Sequence, residues 1–296
     1  MFVNSKNNLN IYTPLVLKRY KEVMGYDCNL ENPMYFSEKI QWLKLYDVTT
    51  GKKYCSDKLN LRKYCKEKLN IDLCPKILKV YNKNEKMDIK DIPEKCVFKC
   101  NHGSNWNIIK DSNNFNIEEV QDKLSNWCNI NYAFYNNNYE FQYKDIIPKY
   151  YIEEFIDIFC EYKFYCFNGK VKLCQVIWYD DQFERGILPV KEWCRHDAIV
   201  NQNYDLMLKY LFFVGTRQHE PEYLSKNYKL YYTDDYKTMV NYTEKLAADF
   251  KFVRVDFYRS NKDKIYLSEM TFTPSNGFTH FKRISTDYEF GQLLTL

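Results

Sequence analysis

The chain has 296 residues, 45% of them hydrophobic and 18% aromatic, with 28 Tyr and 20 Phe. That is enough apolar material for two or three cores, and it excludes a disordered chain. A net charge of +4, with no long Lys/Arg block, suits an anionic small ligand better than a nucleic acid.

No run of about 18 apolar residues occurs, so no spanning helix is expected. The opening MFVNSKNNLNIYTP lacks the apolar stretch of a signal peptide. The eleven cysteines are odd in number and form no CxxC pair. Free thiols and a cytoplasmic location are therefore expected, without a zinc site.

In chain order, residues 11–47 read as helical, first YTPLVLKRYKEVMG and then FSEKIQWLKLYD, with Ser37 as the N-cap of the second. CSDKLNLRKYCKEKL, residues 55–69, reads as one helix, and CPKILKVY, residues 74–81, as a strand or the entry to one. Val97 to Cys100 is strand-like, His102-Gly103-Ser104 a turn, and Asn107 to Lys110 a return strand. Asn116 and Glu119 have capping-box spacing before an apolar stripe of Ile117, Val120, Leu124 and Cys128. Strands follow at IIPKYYIEEFI and KFYCFNGKVKLCQVIWY, the latter folded at Asn168-Gly169, a strong hairpin signal. Residues 234–250 read as a helix and 252–271 as a last hairpin. Helices first, then mixed strands and helices, give an α+β class with mainly antiparallel sheets.

The last hairpin, FVRVDFYRSNKDKIYLSEMT, carries charges where a core sheet would not. With a four-residue loop, Ser260 to Asp263, Arg254 faces Glu269, Asp256 faces Leu267, and Arg259 faces Lys264. Alternation then places Arg254, Asp256, Glu269 and Thr271 on one face, and Val253, Val255, Phe257 and Met270 on the other. Two neighbouring carboxylates repel. Mg²⁺ would resolve that, since it takes one or two carboxylates plus waters and substrate phosphates. A plain Arg–Glu cross-strand pair on a surface hairpin explains the same residues. Lys99 shares a strand face with Val97 and Asn101 and precedes a small-residue turn whose N–H groups suit phosphate oxygens. Neither GxxxxGK[ST] nor GxGxxG is present.

NPMYFSEKIQWLKLYD, CSDKLNLRKYCKEKLNIDL, CVFKCNHGSNWNIIKD, YIEEFI, EYKFYCFNGKVKL, FVRVDFY and IYLSEMTFTPSNGF, in this order and spacing, resemble the TupA-like branch of the ATP-grasp proteins, from about Asn32 to Leu296. The resemblance implies an ATP-grasp architecture: a helical region over 1–95, a lid subdomain over 96–155 and a metal-bearing subdomain over 156–296. It implies ATP and Mg²⁺ as ligands. Lys99 resembles the lid lysine, with His102, Gly103 and Ser104 as the phosphate loop. Arg62, with Lys58 as the alternative, resembles the earlier phosphate contact. Glu153, Glu154, Phe155 and Ile156 resemble the hinge that meets adenine, and Glu161 the ribose acid. Asp256 and Glu269 resemble the metal carboxylates, joined by Thr271 where related ligases often carry Asn. Arg254 resembles the arginine beside the acyl phosphate.

The implied activity is an ATP-dependent ligation of a carboxylate to an amine, with a uronic-acid-type sugar or glycan and a small amine as partners. Surface-polysaccharide synthesis is its implied setting, with association among enzymes of that pathway, and neither nucleic acid nor membrane insertion is implied. His196, His280, Lys282 and Arg283 are candidates for the base that activates the amine. Trp106, Trp178 and Trp193 can stack on sugars but are more often core residues. Rival readings are a glycosyltransferase, for which the adjacent acids Asp180-Asp181 and Asp234-Asp235 make no DxD pattern, a phosphotransferase, and a sugar-binding module.

Overall fold

The computed structural model describes residues 9–110, 115–180, 194–201, 235–281 and 284–296. The chain divides into two compact units, one of residues 1–31 and 40–156, the other of residues 32–39 and 157–296.

The first unit contains α1 (Leu9–Met24), most of α2 (Phe36–Tyr46), α3 (Thr50–Ser56) and α4 (Lys58–Leu69). The expected single helix over 55–69 is therefore interrupted. Asp57 takes an extended conformation, and its carboxylate accepts the Leu59 N–H at 2.9 Å, so it caps α4 and separates it from α3. Asn70, in the left-handed region, ends α4.

Four antiparallel strands follow, β1 (Ile77–Asn82), β2 (Cys96–Cys100), β3 (Asn107–Lys110) and β4 (Lys149–Glu154), in the order β1-β4-β2-β3. Helix α5 (Ile117–Cys128) covers one face. Asn116 caps it as its spacing with Glu119 suggests, accepting the N–H groups of Glu118 and Glu119. Val120, Leu124 and Cys128 then bury against Cys96, Phe98, Cys100, Tyr150 and Ile152. Alternation along β2 sends these residues to the core and Lys99 to the other side.

The second unit is built on β5 (Ile158–Phe167), β6 (Lys170–Asp180), β7 (Cys194–Asn201), β8 (Phe252–Ser260) and β9 (Ile265–Thr271), in the antiparallel order β7-β6-β5-β8-β9. The β5–β6 turn uses Asn168 and Gly169, both at positive φ (50° and 77°), as a two-residue hairpin requires. Helix α6 (Asp235–Ala247) packs on β5, β6 and β8. Its Tyr236 ring stands 5.4 Å from Phe164, which meets Phe257 edge-on at 6.0 Å. Burying each such ring contributes about 1.5–3 kcal/mol.

Helix α7 (Ile284–Gln292) and the segment 32–39 complete this unit. Phe36 enters a cluster with Phe167, Phe252 and Phe290, at ring distances of 5.9, 5.0 and 5.8 Å. Ser37 does not cap α2, contrary to the sequence expectation. It lies inside the helix, and its N–H and Oγ both donate to the buried Asp287 of α7, at 2.9 and 2.6 Å. The cap is made instead by Glu38, which accepts the Met34 and Tyr35 N–H groups at 2.9 and 3.1 Å.

No helix among the described residues is long and apolar enough to cross a membrane.

Candidate functional site

The charged hairpin forms a connected cluster. Arg254 donates through Nε to Asp256 Oδ1 at 2.7 Å and through NH2 to Asp256 Oδ2 at 2.6 Å. The same NH2 reaches Glu269 Oε1 at 3.0 Å and Thr271 Oγ1 at 3.1 Å. Thr271 Oγ1 in turn donates to Glu269 Oε1 at 3.2 Å. All four residues share one face, while Val253, Val255, Phe257, Leu267 and Met270 are buried.

The register differs from the expected one. Asp256 pairs directly with Glu269, Arg254 with Thr271, and Arg259 with Ile265 rather than Lys264. Between Asp256↔Glu269 and Phe257↔Leu267 the pairing shifts by one residue, leaving Ser268 as the extra residue of a bulge. A one-residue offset at the turn and the one-residue bulge together bring the two carboxylates opposite each other instead of diagonally apart.

Asp256 is only 3% exposed. Burial raises its carboxyl pKa above the ordinary range, while Arg254 and Lys163 pull the other way. Lys163, on β5, is a member of this cluster that the sequence reading missed. It pairs in register with Asp256, and its Nζ lies 3.6 Å from Asp256 Oδ2 and 3.1 Å from Glu161 Oε2. Its signal was the alternation of Glu161 and Lys163 on one face of β5.

Two opposed carboxylates with a hydroxyl beside them are hard oxygen donors, which fit Mg²⁺. Among the described residues no group of three or more His, Cys, Asp or Glu gathers into a metal cage.

In the first unit a second charged group assembles. Glu153 of β4 is 4% exposed, and its two oxygens accept from Lys99 Nζ at 2.5 Å and Arg62 NH2 at 2.7 Å. Three elements, α4, β2 and β4, thus bring the two candidate phosphate cations onto one carboxylate.

The expected hinge is divided. β4 is an inner strand, and Glu153 is paired with both Ile77 and Val97. The Glu154 N–H is donated to Lys76 O at 2.9 Å, and the Glu154 carboxylate accepts the Lys76 N–H at 2.7 Å. Phe155 and Ile156 lie past the end of β4 and are half-buried.

The turn after β2 is built inward. His102 is 2% exposed, with its ring edge-on to Trp106 at 5.1 Å. Burial, reinforced by Lys58, lowers its pKa to about 4, so the imidazole is neutral at pH 7 and adds no charge toward a phosphate. Gly103 has φ of +83°, and a Cβ there would stand 2.6 Å from the Tyr132 ring and 2.8 Å from Trp106. Only glycine fits. Lys58 Nζ donates to the Gly103 carbonyl. Ser104 is half-buried.

Trp106 is a core residue, stacked parallel to Trp127 at 6.0 Å and buried, so it offers no sugar platform. His280 is exposed, and His196 lies on β7. Lys282, Arg283, Trp193, Asp181 and Asp234 lie outside the described residues.

A family model for TupA-like ATP-grasp proteins matches residues 38–185 and 190–295. The chain belongs to the TupA-like ATP-grasp family. No curated protein matches it. Among solved structures it is similar to D-alanine–D-alanine ligase from Bacillus anthracis, with 15% identity and a TM-score of 0.38 over 73% of this chain and 56% of that one. It is also similar to D-alanyl-alanine synthetase A from Vibrio cholerae, with 12% identity and a TM-score of 0.42 over 81% and 62%. A third is the ATP-grasp ligase PsnB in complex with a precursor variant, Mg and ADP, with 8% identity and a TM-score of 0.41 over 82% and 59%. The chain spans less than two thirds of the length of each of these proteins.

Proposed function

We propose that this chain is an ATP-dependent carboxylate–amine ligase. The observation that carries the reading is the cluster of Arg254, Asp256, Glu269 and Thr271, locked in register on adjacent strands of an ATP-grasp family member. Asp256 and Glu269, with Thr271 beside them, would hold Mg²⁺, which when bound neutralises phosphate charge and polarises the transferring phosphoryl group. Lys99 and Arg62 bind nucleotide phosphates, Phe155 and Ile156 meet the base, and Glu161 holds the ribose. Residues 96–155 act as the lid subdomain and 156–296 as the metal-bearing one.

Arg254 orients the substrate carboxylate and stabilises the charge that develops as it takes up the γ-phosphoryl group. A carboxylate is a poor nucleophile toward a polyanion, so positioning and charge neutralisation supply most of the rate. An amine then attacks the acyl phosphate, forming the C–N bond and releasing phosphate. The carboxylate is assigned to a uronic-acid-type sugar or glycan and the amine to an amino acid or amino alcohol, in surface-polysaccharide synthesis in the cytoplasm. This assignment rests on family membership alone.

Thermal melting with Mg-ATP, Mg-ADP and UDP tests the reading, because a ligand of the native state raises the melting temperature. Stabilisation by the adenine nucleotides but not by UDP is expected. Stabilisation by UDP alone would overturn the proposal in favour of a nucleotide-sugar transferase.

A further inference from the structure

Lys163 stands within the charged face of the second sheet but has no part in the assignments above. Glu161, Lys163 and Tyr165 alternate onto one side of β5. Across the sheet the register runs Gln175, Lys163, Asp256, Glu269, one residue from each of β6, β5, β8 and β9. The Lys163 side chain is 20% exposed, and its ammonium bridges Glu161 and Asp256 at 3.1 and 3.6 Å. It therefore lies between the residue proposed for the ribose and the residue proposed for the metal.

A nucleotide held at both places must run its α-phosphate past this ammonium. A divalent ion at Asp256 would repel Lys163, and a phosphoryl oxygen is the group that relieves the repulsion. An ammonium on a four-carbon stem can swing that far without any movement of the strand.

We infer that Lys163 is a binding residue for the phosphate nearest the ribose, exchanging its contact with Asp256 for that phosphate when nucleotide enters. The inference rests on the nucleotide reading given under Proposed function. It makes Lys163 a discriminator between nucleotides and the bare nucleoside. A structural counter-ion would show no such preference.

The test is calorimetric titration of AMP, Mg-ADP and adenosine into wild type, Lys163→Met and Lys163→Arg. Losing one charge-assisted hydrogen bond predicts about tenfold weaker binding of AMP and Mg-ADP to Lys163→Met. Adenosine affinity should be unchanged, and Lys163→Arg should recover most of the loss. An equal loss for all three ligands, or no loss for any, overturns the inference while leaving the ligase reading in place. Wild type that binds none of the three removes both. Lys163→Arg keeps the charge beside Asp256, so it reports on phosphate contact even if the Met variant melts early.

Discussion

At the scale of single residues, Glu153 joins the two candidate phosphate cations of the first unit. Its carboxylate is nearly buried, whereas the side chains of Lys99 and Arg62 keep 17% and 16% exposure. Breaking a fully buried pair costs about 3–5 kcal/mol. Because both cations still touch water, Glu153→Gln should destabilise by at most about 3 kcal/mol, read from urea unfolding. On the proposed function, Asp256→Asn and Glu269→Gln should each abolish ATP turnover, and Lys99→Ala should weaken nucleotide binding measured by calorimetry. Undiminished turnover in both acid variants would remove the metal assignment. The shared face of Arg254, Asp256, Glu269 and Thr271 was legible in the sequence, because strand alternation is strict. The meeting of Arg62, Lys99 and Glu153 was not, since it joins a helix and two strands that are distant in sequence, and periodicity carries no such information.

At the scale of elements, local chemistry decided what could be read. Asn168-Gly169 announced its turn because few other pairs tolerate two positive φ values. Asn116 and Glu119 announced the start of α5, and Asn116→Ala should cost about 1 kcal/mol, seen as a lower melting temperature. The offset at the turn and the bulge at Ser268 leave no comparable mark, so the pairing of Asp256 with Glu269 is not legible in the sequence. Ser37 looked like a cap because caps favour serine. A partner 250 residues away, Asp287, claimed it instead. The turn after β2 makes a stringent test: Gly103→Ala combines a left-handed backbone with a clash against Tyr132 and Trp106. Strain of this kind costs about 1–3 kcal/mol, and on the proposal that this turn is a phosphate loop, nucleotide affinity should fall with it. Near-wild-type melting together with unchanged nucleotide affinity would mean that the turn is more plastic than its packing suggests.

At the scale of the whole molecule, stability should depend on pH through His102. Its pKa is about 4 in the folded chain against 6.5 ordinarily, because burial disfavours the imidazolium. Between these values the unfolded chain binds more protons, so stability rises with pH. The contribution is complete above about pH 6.5 and falls away as the pH drops toward 4, by about 3 kcal/mol in total. Unfolding curves across that window should show the loss, and His102→Gln should flatten it. An unchanged slope in the variant would assign the dependence to other groups.

The segment 32–39 has a further consequence for how the chain comes into being. Phe36 and Ser37 leave the ribosome long before Phe252, Asp287 and Phe290, the residues against which they finally pack. The strands of the first unit, by contrast, are all synthesised by residue 154. The second unit cannot close its core until α7 has emerged, so its earliest piece waits while some 250 further residues are synthesised. A fragment cut at residue 157 would lack that piece, leaving an aromatic hole beside Phe252 and a buried Asp287 with neither of its Ser37 donors. Supplying residues 32–39 as a separate peptide should then restore cooperative unfolding to such a fragment.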